Sequence, residues 1–183
     1  MRAVLASIRN RGPESEQGSP TLKSRYEVFV SRDSFKFNAA HFIAYKGFRE
    51  RLHGHNYRVS VRIEGPVGND GYVIDFGDIK RAARDVCNRL NERFLVPMRS
   101  DVITIEVGDA QVKMVCEDGT RFAFPLADCV LLDIVHSSAE ELAAFVCMQL
   151  REVLPVLHER CVVALEVGVA EAPNQEARYR IDL

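Results

Sequence analysis

The chain has 183 residues, 47% of them apolar, and a formal net charge of −2. That length suits one domain of ordinary size with a real buried core. The mixed charge lacks the basic footprint of a nucleic-acid binder, and no apolar run reaches the length of a membrane helix.

Residues 1–24 are rich in Arg, Ser, Gly and Pro and read as a flexible tail. The first twelve are basic and without acids, a composition shared with organelle-targeting peptides; the reading taken is a plain tail. The five cysteines (Cys87, Cys116, Cys129, Cys147 and Cys161) form no C-x-x-C pair and read as reduced, mostly buried thiols, which suits the cytoplasm.

Regular structure is expected from residue 25 to 183. Tyr26, Val28 and Val30, then Phe35 and Phe37, alternate as a strand bent near Ser31–Ser34. A second strand over Asn56–Glu64 places Tyr57, Val59, Val61 and Ile63 on one face. Asp75–Phe94 carries apolar residues at helical spacing (Ile79, Ala82, Ala83, Val86, Leu90, Phe94), and Pro97 closes it. Residues 102–125 read as a hairpin turning at Asp118-Gly119, followed by the apolar run Val130–Val135. A second helix is expected over Ser138–Val153, capped by Ser137 or Ser138, with Leu142, Phe145, Val146, Leu150 and Val153 inward. Cys161–Val169 and Ala177–Leu183 read as the last strands. The order ββααββ with an inserted hairpin predicts an α+β domain: an antiparallel sheet with two helices packed on one face.

His53-Gly54-His55 opens the second strand, where residues two apart point the same way. His41 ends the first. If these strands pair, three imidazoles converge and leave a fourth position open, the arrangement of a catalytic zinc site. Gly54 removes a side chain between the ligands, so that a substrate can approach the backbone.

Three segments surround these histidines: Phe37-Asn38-Ala39-Ala40-His41, Leu52-His53-Gly54-His55-Asn56-Tyr57 and Gly71-Tyr72-Val73-Ile74-Asp75-Phe76. In order and spacing they resemble the 6-pyruvoyltetrahydropterin synthase and 6-carboxytetrahydropterin synthase family. Ser138-Ala139-Glu140 resembles the family's Thr-x-Glu, and Glu171-Ala172 its late Glu-Thr. The resemblance implies the tunnelling fold (T-fold), assembled as a homohexamer from two trimers with sites at subunit interfaces. It implies Zn2+ on His41, His53 and His55, substrate binding by Ser138 and Glu140, and a pterin ring anchored by Glu171. A carboxylate suits that task, because it accepts two parallel N–H bonds from a 2-amino-4-oxo pyrimidine edge. The plainer readings are a turn charge for Glu171 and a helix-dipole charge for Glu140.

Two departures qualify the resemblance. The family's cysteine base lies four residues before the first histidine of His-Gly-His; Arg49 stands there, beside Glu50. A subgroup of the family lacks the cysteine and uses a nearby glutamate, which makes Glu50 the candidate base. The other reading of Glu50 is a loop charge paired with Arg49 or Arg51. The family's Leu-Asp-His is Leu90-Asn91-Glu92 in this chain, so the usual proton relay is absent, with Glu92 and His136 as possible substitutes. Arg49 and Arg51 are candidates for phosphate contacts.

The function this implies is zinc-dependent conversion of 7,8-dihydroneopterin triphosphate to 6-pyruvoyltetrahydropterin or 6-hydroxymethyl-7,8-dihydropterin, or both. The alternatives are a 6-carboxytetrahydropterin synthase and a non-catalytic zinc and pterin binder.

Overall fold

The computed structural model describes residues 25–183, so the expectation for residues 1–24 lies outside the described residues. The two alternating segments form strands β1 (Tyr26–His41) and β4 (His53–Gly65), joined by a small hairpin of β2 (Ala44–Tyr45) and β3 (Phe48–Arg49). β1 and β4 pair antiparallel, with a register shift between Ser31 and Lys36. That bulge is the expected bend, and it keeps Phe35 and Phe37 facing inward, both fully buried. Tyr57, Val59, Val61 and Ile63 fill the opposing positions of β4. Burying aromatic and branched side chains of this size stabilises the fold by about 1.5–3 kcal/mol each.

Helix α1 (Phe76–Leu90) starts where the Asp75 side chain accepts the Gly77 N–H at 2.7 Å. It buries Ile79, Ala82, Ala83, Val86, Cys87 and Leu90. The helix stops at Leu90, short of the predicted Phe94. Asn91 is extended and Glu92 left-handed (φ 57°), and the chain re-enters the sheet as β5 (Arg93–Pro97). Phe94 is therefore a buried strand residue, and Pro97 ends a strand rather than a helix.

The expected hairpin is a three-stranded sheet of β6 (Ile103–Val107), β7 (Gln111–Cys116) and β8 (Arg121–Pro125). It closes a second core around Phe42, Phe94, Val96, Val112 and Met114. β9 (Cys129–Leu132) then pairs parallel to β5. Helix α2 (Ala139–Val153) is capped by Ser138. It buries Leu142, Ala143, Val146, Cys147 and Leu150, whereas Val153, expected inward, is 46% exposed at the C-terminal end. A one-turn helix α3 (Val156–Glu159) precedes β10 (Ala164–Ala172) and β11 (Gln175–Asp182).

The main sheet runs β11-β10-β4-β1-β5-β9. The four strands from β11 to β1 are antiparallel neighbours; β5 and β9 extend the sheet in parallel. α1 packs on β1 and β4, and α2 on β10 and β11. This is the expected α+β layering, with the sheet made mixed by two strands that sequence periodicity does not announce.

Candidate metal centre and surrounding site

The β1–β4 ladder ends on the pair His41↔His53, and Ala39 lies opposite His55. By strand alternation the three imidazoles share the face that carries the core residues Phe37, Ala39 and Tyr57. Ring centroids lie 4.6 Å apart for His41–His53, 5.1 Å for His41–His55 and 4.9 Å for His53–His55. One ring nitrogen of each falls within 4.8 Å of the others. Nitrogens about 2.0–2.1 Å from one ion stand roughly 3.3 Å apart, so small ring rotations close the set on a metal.

Backbone carbonyls orient two of the rings. His41 Nδ1 lies 2.8 Å from the Ser137 carbonyl oxygen, and His53 Nδ1 lies 2.7 Å from that of Arg51. Each carbonyl accepts the Nδ1–H and leaves Nε2 as the lone-pair nitrogen, as ligating histidines require. His41 Nε2 is buried without a hydrogen-bond partner. An orphaned acceptor beside two other imidazoles fits a cation that completes it. Burial lowers the His41 pKa to about 4, so its ring is neutral at pH 7 and free to ligate.

Gly54 borders the cavity beside His55 and also serves the strand pairing. A Cβ there would lie 3.0 Å from the Ala39 carbonyl oxygen, so the glycine lets the two ligand-bearing strands close on each other.

Glu171 lies inside β10 rather than after it, at the register shift between Ala170 and Ala172. The bulge turns its carboxylate toward the histidines, 4.0 Å from His55 Nε2. Beside the histidines lies Tyr57, which is fully buried. Its ring stacks on Phe37 and meets His41 and His55 edge-on. The hydroxyl has no hydrogen-bond partner within normal distance; burial and the nearby Glu171 charge hold the phenol above its usual range.

Glu50 is half-buried, and its Oε2 accepts the Ile43 N–H at 3.0 Å. Its charge reaches both His41 and Tyr57. Among the described residues no ion pair joins it to Arg49 or Arg51. Arg49 instead binds Asp118, Thr120 and the Glu50 carbonyl, so its side chain is committed to the protein rather than held out for phosphates.

Ser138 spends its hydroxyl as the α2 cap, accepting from Glu141 N at 3.4 Å, and Glu140 is exposed in the first turn of that helix. Asn91 Oδ1 accepts the Asn38 N–H at 2.8 Å, and Glu92 N donates to the Asn38 carbonyl at 2.6 Å. These two residues anchor β1 where the family's relay would stand. His136 has its backbone N–H on Glu141 and its Nδ1 buried without a partner.

A mixed six-stranded sheet backed by two helices, with a histidine triad where β1 and β4 meet and the Glu171 carboxylate 4.0 Å from one of its rings, defines a T-fold protein with a candidate metal centre. Residues 30–182 match the family described as 6-pyruvoyl tetrahydropterin synthase, and the chain belongs to that family. A 6-pyruvoyl tetrahydropterin synthase from Plasmodium vivax is 46% identical, with a TM-score of 0.84 over 87% of this chain and 99% of that one. A variant of the Plasmodium vivax protein with its catalytic glutamate replaced by alanine superposes with the same TM-score, 0.84, at 45% identity over 87% of this chain and 99% of that one. A Methanocaldococcus jannaschii protein provisionally assigned as a 6-carboxy-5,6,7,8-tetrahydropterin synthase is 27% identical over 146 residues, 79% of this chain and 89% of that one. Members of the family are lyases of pterin chemistry, and the histidine triad is a cluster able to hold a metal.

Proposed function

We propose that the chain is a zinc-dependent lyase acting on 7,8-dihydroneopterin triphosphate, with His41, His53 and His55 as the metal ligands. The observation that carries this reading is the buried, unpartnered Nε2 of His41 beside two further imidazoles. Zinc held there supplies Lewis acidity to the hydroxyls of the pterin side chain. Glu171 accepts the N–H edge of the pterin ring, and its bulge position in β10 holds it on the same side as the triad. Ser138 and Glu140 contribute to substrate binding from the start of α2, next to Ser137, whose carbonyl orients His41.

Glu50 is the general base. It lies in the loop that closes onto Ile43, two residues past His41, and takes a proton from a side-chain carbon or hydroxyl. Removal of the C2′ proton lets the released electron pair expel the triphosphate from C3′, and the enol left behind becomes the C2′ ketone; shifting the C1′ proton and its electron pair onto the ring C=N bond makes the C1′ ketone and the tetrahydro ring together, giving 6-pyruvoyltetrahydropterin. Removal from the C2′ hydroxyl breaks the C1′–C2′ bond by retro-aldol cleavage: the two-carbon fragment leaves as glycolaldehyde triphosphate, and C1′, its electron pair accepted by the adjacent ring C=N bond, takes up a proton to give 6-hydroxymethyl-7,8-dihydropterin. The glutamate named as catalytic in the Plasmodium vivax relative supports a glutamate in this role. The products serve tetrahydrobiopterin or folate biosynthesis, and the working form is a cytoplasmic homohexamer built as a dimer of trimers. No helix of the described residues is long and apolar enough to cross a membrane. A second reading, formation of 6-carboxy-5,6,7,8-tetrahydropterin, rests on the provisional assignment of the archaeal relative.

Incubating the zinc-loaded chain with dihydroneopterin triphosphate and separating the pterins by chromatography tests the proposal. The first two products support it. A 6-carboxy product supports the second reading, and no turnover with retained pterin binding makes the chain a binder.

A further inference from the structure

The β2–β3 hairpin that leads to Glu50 is very short, two residues per strand, and such an element does not hold its own shape in water. Its rigidity comes from outside. The Arg49 guanidinium donates from Nε to Asp118 Oδ2 at 2.9 Å, from Nη2 to Thr120 Oγ1 at 3.1 Å and from Nη1 to the Glu50 carbonyl oxygen at 2.7 Å. Its carbon lies 5.8 and 5.6 Å from the ring centroids of Phe42 and Phe122, and these rings stack at 4.9 Å. At the hairpin tip, Gly47 N donates to Glu117 Oε2 at 2.7 Å.

All the acceptors outside the hairpin belong to the turn between β7 and β8. That turn is itself pre-shaped: Thr120 N donates to Asp118 Oδ1 at 2.9 Å, and Gly119 adopts a left-handed φ of 80°. The Thr120 N–H and Arg49 hold the Asp118 carboxyl below its ordinary range, so it is ionised when it faces the guanidinium. Glu50 is thus gripped from two sides, by Arg49 at its carbonyl and by Ile43 at its N–H and carboxylate.

We propose that Arg49 and Asp118 are positioning residues for the candidate base: the three-stranded sheet acts through its β7–β8 turn as a buttress that fixes where the Glu50 carboxylate stands relative to the histidines. This rests on the reading of Glu50 as the base. Arg49 occupies the sequence position of the family's cysteine, and its hydrogen bonds give that position a mechanical duty. An exposed ion pair contributes little to folding. The effect is read in rate, because displacing a reacting group by about 1 Å costs on the order of 100-fold.

The test is a double-mutant cycle on the full-length zinc-loaded chain with Asp118→Ala and Glu50→Gln, read as single-turnover rate, KM and metal content. Asp118→Ala is expected to lower the rate about 10- to 100-fold at unchanged KM and metal content, with Asp118→Glu restoring part of it. In the Glu50→Gln background Asp118→Ala has no further effect, because the residue whose position it governs is already disabled. A slow Glu50→Gln with a fully active Asp118→Ala, or an equal loss in both backgrounds, overturns the buttress and leaves the base assignment standing. A fully active Glu50→Gln overturns the base assignment itself, and the buttress with it.

Discussion

His41 and His53 face one another as the last register pair of the β1–β4 ladder, their ring centroids 4.6 Å apart. The terminal position matters. One step earlier in β1 a side chain points to the other face of the sheet; two steps earlier, at Ala39, it points into the core. The candidate metal centre is thus an extension of the same alternation that builds the core.

Glu50→Gln keeps an acceptor for the Ile43 N–H and removes only the titratable charge. The variant is expected to fold and to bind metal normally, while kcat falls about 100- to 10,000-fold, the range for loss of a general base. Steady-state kinetics with parallel metal analysis checks this.

Glu171→Ala removes the acceptor proposed for the pterin edge and leaves the triad intact. Hydrogen bonds to a charged group contribute about 1.5–3 kcal/mol, so pterin binding weakens roughly 10- to 100-fold. Calorimetry with a non-reactive pterin measures the change.

Gly168→Ala tests the sheet that carries Glu171. Glu176 reaches across β10 at Gly168 to accept the Ser60 hydroxyl at 2.7 Å, and an added Cβ would overlap that carboxylate and crowd Ser60 Oγ. Breaking this strap and straining the strand is expected to cost about 1–3 kcal/mol, seen as a fall of several degrees in Tm.

The His41 pKa sets a pH response of the metal-free chain. Its ordinary value is 6.5 and burial lowers it to about 4, so between these values the unfolded chain binds a proton that the folded one refuses. Stability therefore falls as pH drops through that window and this contribution levels off below it. Tm measured from pH 7 to pH 4 on the metal-free chain shows the slope, and His41→Asn reduces it.

Much of this was legible in the sequence for a definite reason. Strand alternation fixes side-chain direction, so His53 and His55 announce a shared face and Tyr57 to Ile63 announce the core. The end of helix α1 is hidden in the sequence because Phe94 continues the helical spacing, while the chain reverses at Glu92, a non-glycine residue in a left-handed conformation that composition does not flag. The Ser137 carbonyl that orients His41 comes from 96 residues away, and a backbone acceptor has no sequence signature. The bulge at Glu171 and the commitment of Arg49 to the β7–β8 turn are equally tertiary facts.

The most direct measurement is the zinc content of the purified full-length chain beside that of His41→Ala, both confirmed folded by circular dichroism. The account predicts one ion per chain for the parent and an affinity lower by about 100-fold or more in the variant, since loss of even an outer partner costs 10- to 100-fold. A folded parent that takes up no zinc, or a variant that binds it equally well, contradicts the account.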